Sequence, residues 1–445
     1  MSAGTAGREV AVIGGGWAGL AAAVTLAAAG IPVAVFEAAQ TLGGRARRTV
    51  LDGAILDNGQ HLLLGAYRDT LALIRQVQPA RAMSELYERT ALRLIGPGEF
   101  KLCAAPLPAP LHLVAGLLTA RGCTMADRLA MVRAFFRWRS DSWRCARAQT
   151  VAGLLDGQPE TMVARLWTPL CLAALNTHPA SASAQVFLNV VRDALGAAGA
   201  ASDLIIPVTD LSRLFPDPAA EFVVAHGGAI HRGTRVRGLV VRDASIAIEL
   251  AGPTPSMRHF HHVVVATAPW QASGLLTGLP FATGIRRQID SYSYQPIATV
   301  YLRYNQPMAL PARMMQLGDG PGQWLFDRSP TGATHAMLAA VISAEGPHRR
   351  LSQADLVQAI AGQLRANLPG THRAAAPVWA RVITERRATH ASTPDRVHPA
   401  AGHIGSGVYL AGDHTDPDYP ATLEAAVRSG MRAARSVLDR RGLLC

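Results

Sequence analysis

Three glycines and one acid near the N-terminus have the spacing of a dinucleotide-binding site. Gly14, Gly16 and Gly19 match the GxGxxG pattern, and Glu37 ends a later apolar stretch. Glycines at such points let the backbone approach a pyrophosphate at a helix N-terminus, while the acid accepts hydrogen bonds from the adenosine ribose. The surrounding stretches predict a buried strand over residues 9–13, a helix over 20–29 and a second strand over 31–36. This order predicts a Rossmann-type site, with an ordinary βαβ unit as the alternative.

A second glycine cluster follows the ribose acid directly. Gly43 and Gly44 precede Arg45 in the run LGGRA. A plain NAD-binding domain does not need this loop, whereas in large flavoproteins it runs along the pyrophosphate, to which the arginine offers a forked cation. The two glycine clusters together therefore predict FAD as the cofactor.

A third motif lies near the C-terminus. Residues 408–411 predict a short strand, which is followed by Gly412 and Asp413, a polar loop and a helix over 421–438. This arrangement brings the Asp413 carboxylate to the ribitol hydroxyls and the helix N-terminus toward the flavin pyrimidine, where negative charge gathers on reduction. Both ends of the chain are thus expected to fold into one FAD domain.

The elements that must position these residues define the predicted fold. Alternating strands over 236–242 and 246–250, then a buried strand over 263–266, complete the FAD domain. Val236 is a candidate to pair its backbone with the adenine, with a plain strand residue as the alternative. We predict an α/β protein: a Rossmann-type (GR2-like) FAD-binding domain assembled from discontinuous segments, with an α+β substrate domain. The FAD-binding domain takes residues 1–85, 204–270 and 401–445, and the substrate-binding domain takes 86–203 and 271–400.

The composition excludes several classes of protein. With 445 residues, 49% of them hydrophobic and 17% charged, the chain is long enough for two globular domains and too apolar for general disorder. The net charge of +12 suits anionic lipid or acidic substrates. We expect no nucleic-acid partner, because helix-turn-helix, RNA-binding and zinc-finger patterns are missing from the sequence.

Cysteines and histidines indicate neither a disulfide framework nor a metal site. The five cysteines are scattered and form no CxxC pair, which fits a reducing cytosol. His259, His261 and His262 precede a buried strand and lack a fourth ligand, so we expect no metal. Glycines interrupt the apolar N-terminal stretch, and prolines interrupt residues 102–120, so neither a signal peptide nor a membrane-spanning helix is expected.

The three motifs together resemble the superfamily of FAD-dependent amine oxidases, protoporphyrinogen oxidases and phytoene desaturases, over nearly the whole chain. The run DNGQHLLLGAY at residues 57–67 resembles more narrowly the squalene-associated desaturase branch, the hydroxysqualene dehydroxylases of bacterial hopanoid synthesis. Residues 387–390 (RATH) with Thr393 and Pro394 also resemble this branch, in which a bulkier aromatic residue commonly stands at the place of His390.

This narrower resemblance implies a reaction on a long isoprenoid lipid. Hydroxysqualene would be converted to squalene with two electrons from reduced FAD. The carbinol carbon is allylic, so a protonated hydroxyl can leave as water, and the delocalised cation then accepts hydride from flavin N5. Such chemistry needs an acid near the hydroxyl, an apolar tunnel for two prenyl arms and exclusion of competing water.

Candidate acids follow from the motifs that carry the resemblance. His61 is the first choice, with a structural histidine at the flavin edge as the alternative. Asp57 is a second candidate, although it could equally hold its loop, and His414 with Asp416 forms a further possible pair. Candidate tunnel or cation-facing aromatics, each with an ordinary core role as the alternative, are Tyr67, Trp270, Tyr292, Tyr294 and Trp324.

Two partners besides the lipid are expected. Only one dinucleotide fingerprint is present, so an unidentified electron donor must reach FAD by docking or through another protein. Residues 125–147 predict a basic amphipathic helix, which suits a membrane surface as well as it suits burial in the substrate domain. Its stripe is Leu129, Val132, Phe136 and Trp143, with Arg133, Arg137, Arg144 and Arg147 beside or behind it. The insoluble substrate favours the membrane, so we predict a cytoplasmic protein docked peripherally on the inner membrane face.

Three alternative functions remain open. A carotenoid or phytoene desaturase would share the fold but oxidise its substrate. An amine oxidase would normally have an aromatic cage and often a late flavin-linking cysteine, and the only late cysteine is the terminal Cys445. A non-enzymatic prenyl-binding protein, like the GDP-dissociation inhibitors, is disfavoured by the intact glycines with Glu37, Arg45 and Asp413.

Overall fold

The computed structural model describes residues 9–196, 199–242, 245–252, 256–308, 310–329, 332–368 and 376–442. Cys445 lies outside the described residues. The strands are β1 (Val10–Ile13), β2 (Val33–Phe36), β3 (Arg48–Leu51), β4 (Ala54–Asp57), β5 (Leu63–Leu64), β6 (Tyr87–Thr90), β7 (Arg93–Ile95), β8 (Lys101–Cys103), β9 (Leu204–Pro207), β10 (Ala229–His231), β11 (Val236–Arg242), β12 (Ser245–Leu250), β13 (Ser256–Phe260), β14 (His262–Val265), β15 (Tyr294–Tyr304), β16 (Met314–Gln316), β17 (Trp324–Asp327), β18 (Ala336–Ser343), β19 (Trp379–His390), β20 (Gly402–Gly405) and β21 (Val408–Leu410). The helices are α1 (Trp17–Ala28), α2 (Arg68–Val77), α3 (Leu111–Leu118), α4 (Met125–Ser140), α5 (Val151–Leu154), α6 (Glu160–Met162), α7 (Thr168–Leu175), α8 (Ala184–Val191), α9 (Leu211–Leu214), α10 (Pro216–Ala225), α11 (Pro269–Leu275), α12 (Thr283–Asp290), α13 (Gln353–Asn367) and α14 (Leu423–Arg440).

A six-stranded sheet carries the dinucleotide motif. Its order is β10-β2-β1-β14-β21-β20, and every pairing is parallel except that of β20 with β21. The central strand β1 is buried throughout and aligns Val10 with Val33 of β2 and with His262 of β14. Such wholly apolar strands suit a parallel sheet covered on both faces.

Both faces of this sheet are covered. Alternate residues of β1 enter two different apolar clusters, Val10 one and Ala11 the other. Helices α1, α10 and α14 contribute to the first cluster, and the small sheet β11-β12-β13 with α11 and α12 contributes to the second. Gly430 of α14 lets this helix pack closely on α1, because a Cβ there would collide with the Ala18 carbonyl oxygen.

Three separate stretches of the chain build this layer. The strands of the six-stranded sheet come from residues 10–36, 229–265 and 402–410. Helices α11 and α12 also pack here, with Ala272 and Ile289 in the same cluster as Val236, although both helices lie almost wholly beyond the predicted boundary at residue 270. The exact division of the chain into domains stays a prediction.

Other segments build a second layer around an antiparallel sheet. Its order is β16-β17-β18-β15-β19, and its two faces enter different apolar clusters. Tyr301 and Val341 face a cluster that includes residues of α4, α7 and α8, while Val300 and Ile342 face a cluster with α13.

Candidate active site

The two glycine clusters lie backbone to backbone just after β1. The Gly43 amide donates to the Gly15 carbonyl oxygen at 2.8 Å, and a Cβ on Gly44 would lie only 3.2 Å from the Gly16 Cα. Gly14 has a φ of +109°, a conformation that favours glycine. These contacts form a cradle of glycine backbone. Side chains at these positions would fill the space beside the chain.

The N-terminus of helix α1 lies at this cradle and has no side-chain cap. Gly16 stands at its N-cap, no side chain caps the helix, and its first turn has no acidic residue. The first amides of a helix lack intrahelical partners, and the helix dipole favours an anion beside them. Arg45 and Arg47 line the same cavity. Uncapped amides with two nearby guanidinium groups fit a pyrophosphate.

Glu37 and Val236 lie at the predicted adenosine end. The two Glu37 carboxylate oxygens accept from the Gly15 amide at 2.7 Å and the Ala39 amide at 2.8 Å. A carboxylate offers about four acceptor positions, so acceptor capacity remains for ribose hydroxyls. Val236 lines the cavity from the start of β11, while its backbone pairs with Leu250 of β12.

Arg45 and Asp413 are joined directly, which the sequence did not indicate. Their side chains form an ion pair at 2.7 Å, and Arg45 also donates to the Ala388 carbonyl oxygen at 2.7 Å. Burial alone would raise the pKa of Asp413, but Arg45 lowers it and keeps the carboxylate ionised. Gly412 and Asp413 both line the cavity. The two predicted FAD contacts therefore lie side by side, and Arg45 retains further donors for a phosphate.

Gly19 differs from the other predicted cofactor glycines. It does not line the cavity, and a Cβ there would collide with the Gly14 carbonyl oxygen. Its role in the structure is close packing of α1 against the loop after β1. The expected contact of Gly19 with the cofactor stays a prediction.

One cavity of about 1160 Å³ joins the cradle to the second layer. That volume exceeds the upper end of ordinary small-ligand pockets, roughly 1,000 Å³. Away from the cradle most side chains of the wall are apolar, and those from α7, α8 and the antiparallel sheet include Leu170, Phe187, Val190, Met314, Phe326 and Val341. The space can therefore hold a dinucleotide at one end and a large apolar molecule at the other.

His61 is the one of the four catalytic candidates that lines the cavity. Its Nδ1 lies 2.9 Å from the Gly59 carbonyl oxygen, which can only accept, so Nδ1 carries the hydrogen of this bond. Burial lowers the pKa of His61 below its usual value, so the imidazole is neutral at neutral pH. His61 is an acid only after Nε2 has taken up a second proton.

Asp57 does not line the cavity, which argues against its predicted catalytic role. One carboxylate oxygen accepts from the Leu211 amide at 2.8 Å, and the other pairs with Arg328 at 3.2 Å. Burial raises the pKa of Asp57 to about 6 despite Arg328. The side chain joins β4 to the start of α9 and to the end of β17, so its role in this structure is to hold these elements together.

His414 and Asp416 also lie outside the cavity lining. The His414 ring is fully buried over Gly412, and burial lowers its pKa to about 4. Asp416 pairs with Arg432 at 3.0 Å and accepts from the Asp418 amide. Asp416 thus holds the loop between β21 and α14, and the two His414 ring nitrogens have no hydrogen-bond partner among the described residues. Since neither side chain lines the cavity, the structure does not favour the predicted acid pair.

Sequence reasoning missed a pair of polar residues in the cavity wall, Asp193 and Tyr419. The Tyr419 hydroxyl donates to one Asp193 oxygen, and Arg192 donates to the other at 2.6 Å. Burial alone would raise the pKa of Asp193, but these two hydrogen bonds lower it. Tyr419 follows the flavin loop closely in sequence, which was its only available signal, and Asp193 had none.

The candidate aromatics divide into two groups. Tyr67, Trp270 and Trp324 line the cavity, whereas Tyr292 and Tyr294 do not. Trp270 lies beneath the Arg387 guanidinium at 4.8 Å, so it already has a cationic partner. The buried indole nitrogen of Trp324 has no hydrogen-bond partner among the described residues.

The predicted basic helix is shorter than expected. Helix α4 ends at Ser140, because the chain turns at Ser142 and Trp143, which both have positive φ angles. Trp143 is buried against Phe135, so the predicted stripe is divided between the core and the surface. No described helix has the length and apolar character needed to cross a bilayer.

An apolar surface remains exposed on α3, α4 and the loop before α3. We call it the α3–α4 face, and it consists of Leu107, Leu111, Leu118, Met125, Leu129 and Phe136. Leu118 and α4 are adjacent, since Arg128 donates to the Leu118 carbonyl oxygen at 3.2 Å. Exposed arginines on or near α4 are Arg121, Arg133, Arg137, Arg139, Arg144 and Arg147.

Residues 17–438 match the family model described as flavin containing amine oxidoreductase. The chain belongs to the flavin-containing amine oxidoreductase family. It is an FAD-dependent oxidoreductase, so the predicted cofactor is confirmed. A putrescine oxidase double mutant superposes with a TM-score of 0.73 at 17% identity, covering 97% of this chain and 99% of that one. The predicted fold class is confirmed as well.

Within this family, the predicted resemblance to the hydroxysqualene dehydroxylases is confirmed. The hydroxysqualene dehydroxylase of Rhodopseudomonas palustris is 31% identical over 97% of this chain and 98% of its own length. A protein of Synechococcus elongatus named "Probable zeta-carotene desaturase" is 23% identical, over 97% of this chain and 98% of its own length.

Proposed function

We propose that the protein converts hydroxysqualene to squalene by reductive dehydroxylation, in squalene and hopanoid biosynthesis. The observation that carries the proposal is a cavity in which the glycine cradle continues into a mainly apolar part, which we call the chamber. A relative named for this reaction, with 31% identity over nearly the whole chain, supports it.

The chamber suits a long isoprenoid lipid. Its wall is formed mainly by aliphatic and aromatic side chains, so transfer of prenyl arms from water into it is favourable. An apolar wall also keeps water from an allylic cation, which water would otherwise capture.

FAD would supply two electrons, as a hydride, to the substrate in this chamber. The residues proposed to hold it are Gly14, Gly16, Glu37, Gly43, Gly44, Arg45, Val236, Gly412 and Asp413. Among them, Glu37 accepts from the ribose, Arg45 and the α1 amides bind the pyrophosphate, and Asp413 accepts from the ribitol.

His61 is the proposed proton donor to the leaving hydroxyl. Its ring lines the cavity, and the Gly59 carbonyl fixes Nδ1 as the protonated nitrogen in the neutral form. Nε2 is then the atom that gains and gives a proton. Hydroxide is a poor leaving group, so the reaction requires a side chain that protonates the hydroxyl. Nε2 would donate that proton.

A carotenoid-type desaturase is the second candidate function. The relative named for zeta-carotene desaturation and the apolar chamber both favour it. A desaturase needs no acid for a leaving hydroxyl, so a proton-donating side chain in the chamber is the feature that separates the two functions. A non-enzymatic prenyl-binding role has no comparable support, because the chain is an FAD-dependent oxidoreductase.

We also propose that the α3–α4 face docks on an anionic bilayer at the inner membrane face. Met125 and Phe136 are 58% and 46% exposed, and the surrounding exposed charges are almost all arginine. An apolar strip within a basic surface complements acyl chains beneath anionic headgroups. The proposed substrate is a lipid of the bilayer, so docking at this surface would bring the protein to its substrate.

The two candidate reactions run in opposite directions, and one paired experiment separates them. Anaerobic, prereduced enzyme is incubated with hydroxysqualene, while oxidised enzyme is incubated with phytoene. The proposal predicts squalene in the first mixture and an unchanged flavin spectrum in the second. Flavin reduction by phytoene, with no squalene from hydroxysqualene, would establish the desaturase instead.

A further inference from the structure

We propose that the Asp193–Tyr419 pair binds the hydroxyl group of the substrate and makes the chamber select an alcohol over a hydrocarbon. The inference rests on the proposed function and extends it to the part of the substrate that distinguishes dehydroxylation from desaturation. Neither residue belongs to a motif that marks the FAD site.

The pair emerges from the apolar wall itself. Val190 and Val191 at the end of α8 line the cavity, and Asp193 and Ala194 continue this wall in the next turn. That turn, Arg192–Gly196, is π-helical. Single π-helical turns within α-helices often occur at functional sites, since the extra residue redirects the side chains. In this turn the Asp193 carboxylate lies in the cavity lining beside apolar neighbours.

Tyr419 is brought to Asp193 by the loop that precedes α14. Asn189 of α8 donates to the Asp418 carbonyl oxygen at 3.0 Å, which ties this loop to α8. Tyr419 is 93% buried, the Arg428 guanidinium lies 4.7 Å from its ring, and its hydroxyl donates to Asp193. The pair is therefore held from two elements, one of which also carries the predicted flavin loop.

Both members keep hydrogen-bonding capacity toward the cavity. Arg192 and Tyr419 occupy two of the roughly four acceptor positions of the Asp193 carboxylate, and the Tyr419 oxygen retains its own lone pairs. An allylic alcohol can donate its hydrogen to either oxygen. A hydrocarbon entering the same chamber would cover these charged and polar atoms without replacing their hydration, which disfavours its binding.

This role differs from that of His61. The pair positions the hydroxyl and sets the preference for an alcohol, while His61 supplies the proton. Because Asp193 is ionised, it also places negative charge beside the carbon on which positive charge develops when the hydroxyl leaves.

The test measures binding without turnover. Oxidised holoenzyme is titrated with hydroxysqualene and with squalene in the same detergent, and each dissociation constant is read from the change in flavin absorbance. We expect the wild type to bind the alcohol about tenfold or more tightly, as a hydrogen bond to a charged group allows. Tyr419→Phe and Asp193→Asn should bring the two dissociation constants to within about threefold while flavin content stays full.

Tyr409→Phe is the matched control. It removes a buried tyrosine hydroxyl that contacts His262 at 3.1 Å, outside the cavity lining, so the alcohol preference should persist. An unchanged preference in both pair variants, or the lack of any preference in the wild type, overturns the inference. Asp193→Asn decides the matter if Tyr419→Phe does not fold with flavin.

Failure of the inference is distinguishable from failure of the proposed function. Conversion of hydroxysqualene to squalene by prereduced wild type, with equal binding of alcohol and hydrocarbon, overturns the role of the pair alone. A clear alcohol preference that both pair variants lose, without any conversion, supports the pair and overturns the proposed reaction.

Discussion

At the scale of single residues, Glu37 and Arg45 contribute to the site in different ways. Glu37 already holds two backbone amides of the cradle, and Arg45 bridges Asp413 and the Ala388 carbonyl. Loss of Glu37 would remove the proposed hydrogen-bond acceptor for the ribose together with a contact that shapes the glycine loop. Loss of Arg45 would remove the proposed hydrogen-bond donor to the pyrophosphate and leave Asp413 without its cation.

We expect Glu37→Ala and Arg45→Ala to purify with depleted flavin. A charge-assisted hydrogen bond contributes about 1.5–3 kcal/mol, so affinity for FAD should fall about tenfold or more. Flavin-to-protein absorbance ratios and FAD titration of the stripped protein provide the measurement. Arg48→Ala is the control, because Arg48 pairs with Asp210 and Asp217 away from the cavity. Full flavin occupancy in both site variants would refute the assignment.

The pKa of His61 gives its proposed role a pH signature. Burial lowers this pKa below its usual value, so the protonated, proton-donating form grows as pH falls through a range below about 6.5. The rate of squalene formation by prereduced enzyme should therefore rise as pH decreases from 8 to 5. His61→Ala should keep FAD, lose about 10²–10⁴ in rate and lose this rise. A retained rate and pH profile in His61→Ala would reject His61 as the proton donor.

At the scale of elements, local patterns predicted the dinucleotide unit well. The strands β1 and β2, the helix α1 and the position of Glu37 follow from residues close together in sequence. The predicted start of α1 at residue 20 was late, since the helix already begins at Trp17. Gly19 disfavours a helix by propensity alone, but its lack of a side chain lets α1 pack closely against the Gly14 carbonyl.

Helix α4 shows where periodicity is insufficient. The apolar residues of the predicted stripe recur at helical spacing, yet the chain turns after Ser140, and Trp143 enters the core. Trp138 of the same helix is also buried and packs against Trp167. The hydrophobic periodicity of one helix does not show which of its apolar residues a neighbouring helix covers. The exposed α3–α4 face is therefore visible only in the tertiary structure.

The α3–α4 face gives a prediction at this scale. Replacing Arg133, Arg137 and Arg144 with glutamine should reduce sedimentation with anionic liposomes, because each basic residue at the surface contributes about 1 kcal/mol. Phe136→Ser should reduce it further by removing an apolar anchor. The matched control exchanges three exposed arginines elsewhere, Arg75, Arg242 and Arg435, and should bind liposomes more tightly than the face variant does. Equal loss in both triple variants would show nonspecific charge attraction rather than docking by this face.

At the scale of the whole molecule, the site depends on contacts that no local pattern encodes. The pair Arg45 and Asp413 is separated by 368 positions, and Asp193 and Tyr419 by 226. The first two were predicted one by one, because each belongs to a cofactor motif, but their ion pair was not. Asp193 belongs to no motif, so only the folded arrangement of α8 and the loop before α14 identifies it. For the same reason the motif that contains Asp57 could not distinguish a proton donor from a carboxylate that holds its loop, and only the folded structure shows the contacts with Leu211 and Arg328.

The measurement that tests the proposed reaction most directly follows the origin of the new C–H bond. Prereduced enzyme in D₂O, whose exchangeable flavin hydrogens are deuterium, is mixed anaerobically with one equivalent of hydroxysqualene. We expect squalene that carries one deuterium at the former carbinol carbon, formed in step with flavin reoxidation and in equal amount. Squalene without deuterium at that carbon, or flavin reoxidation without squalene, would contradict it.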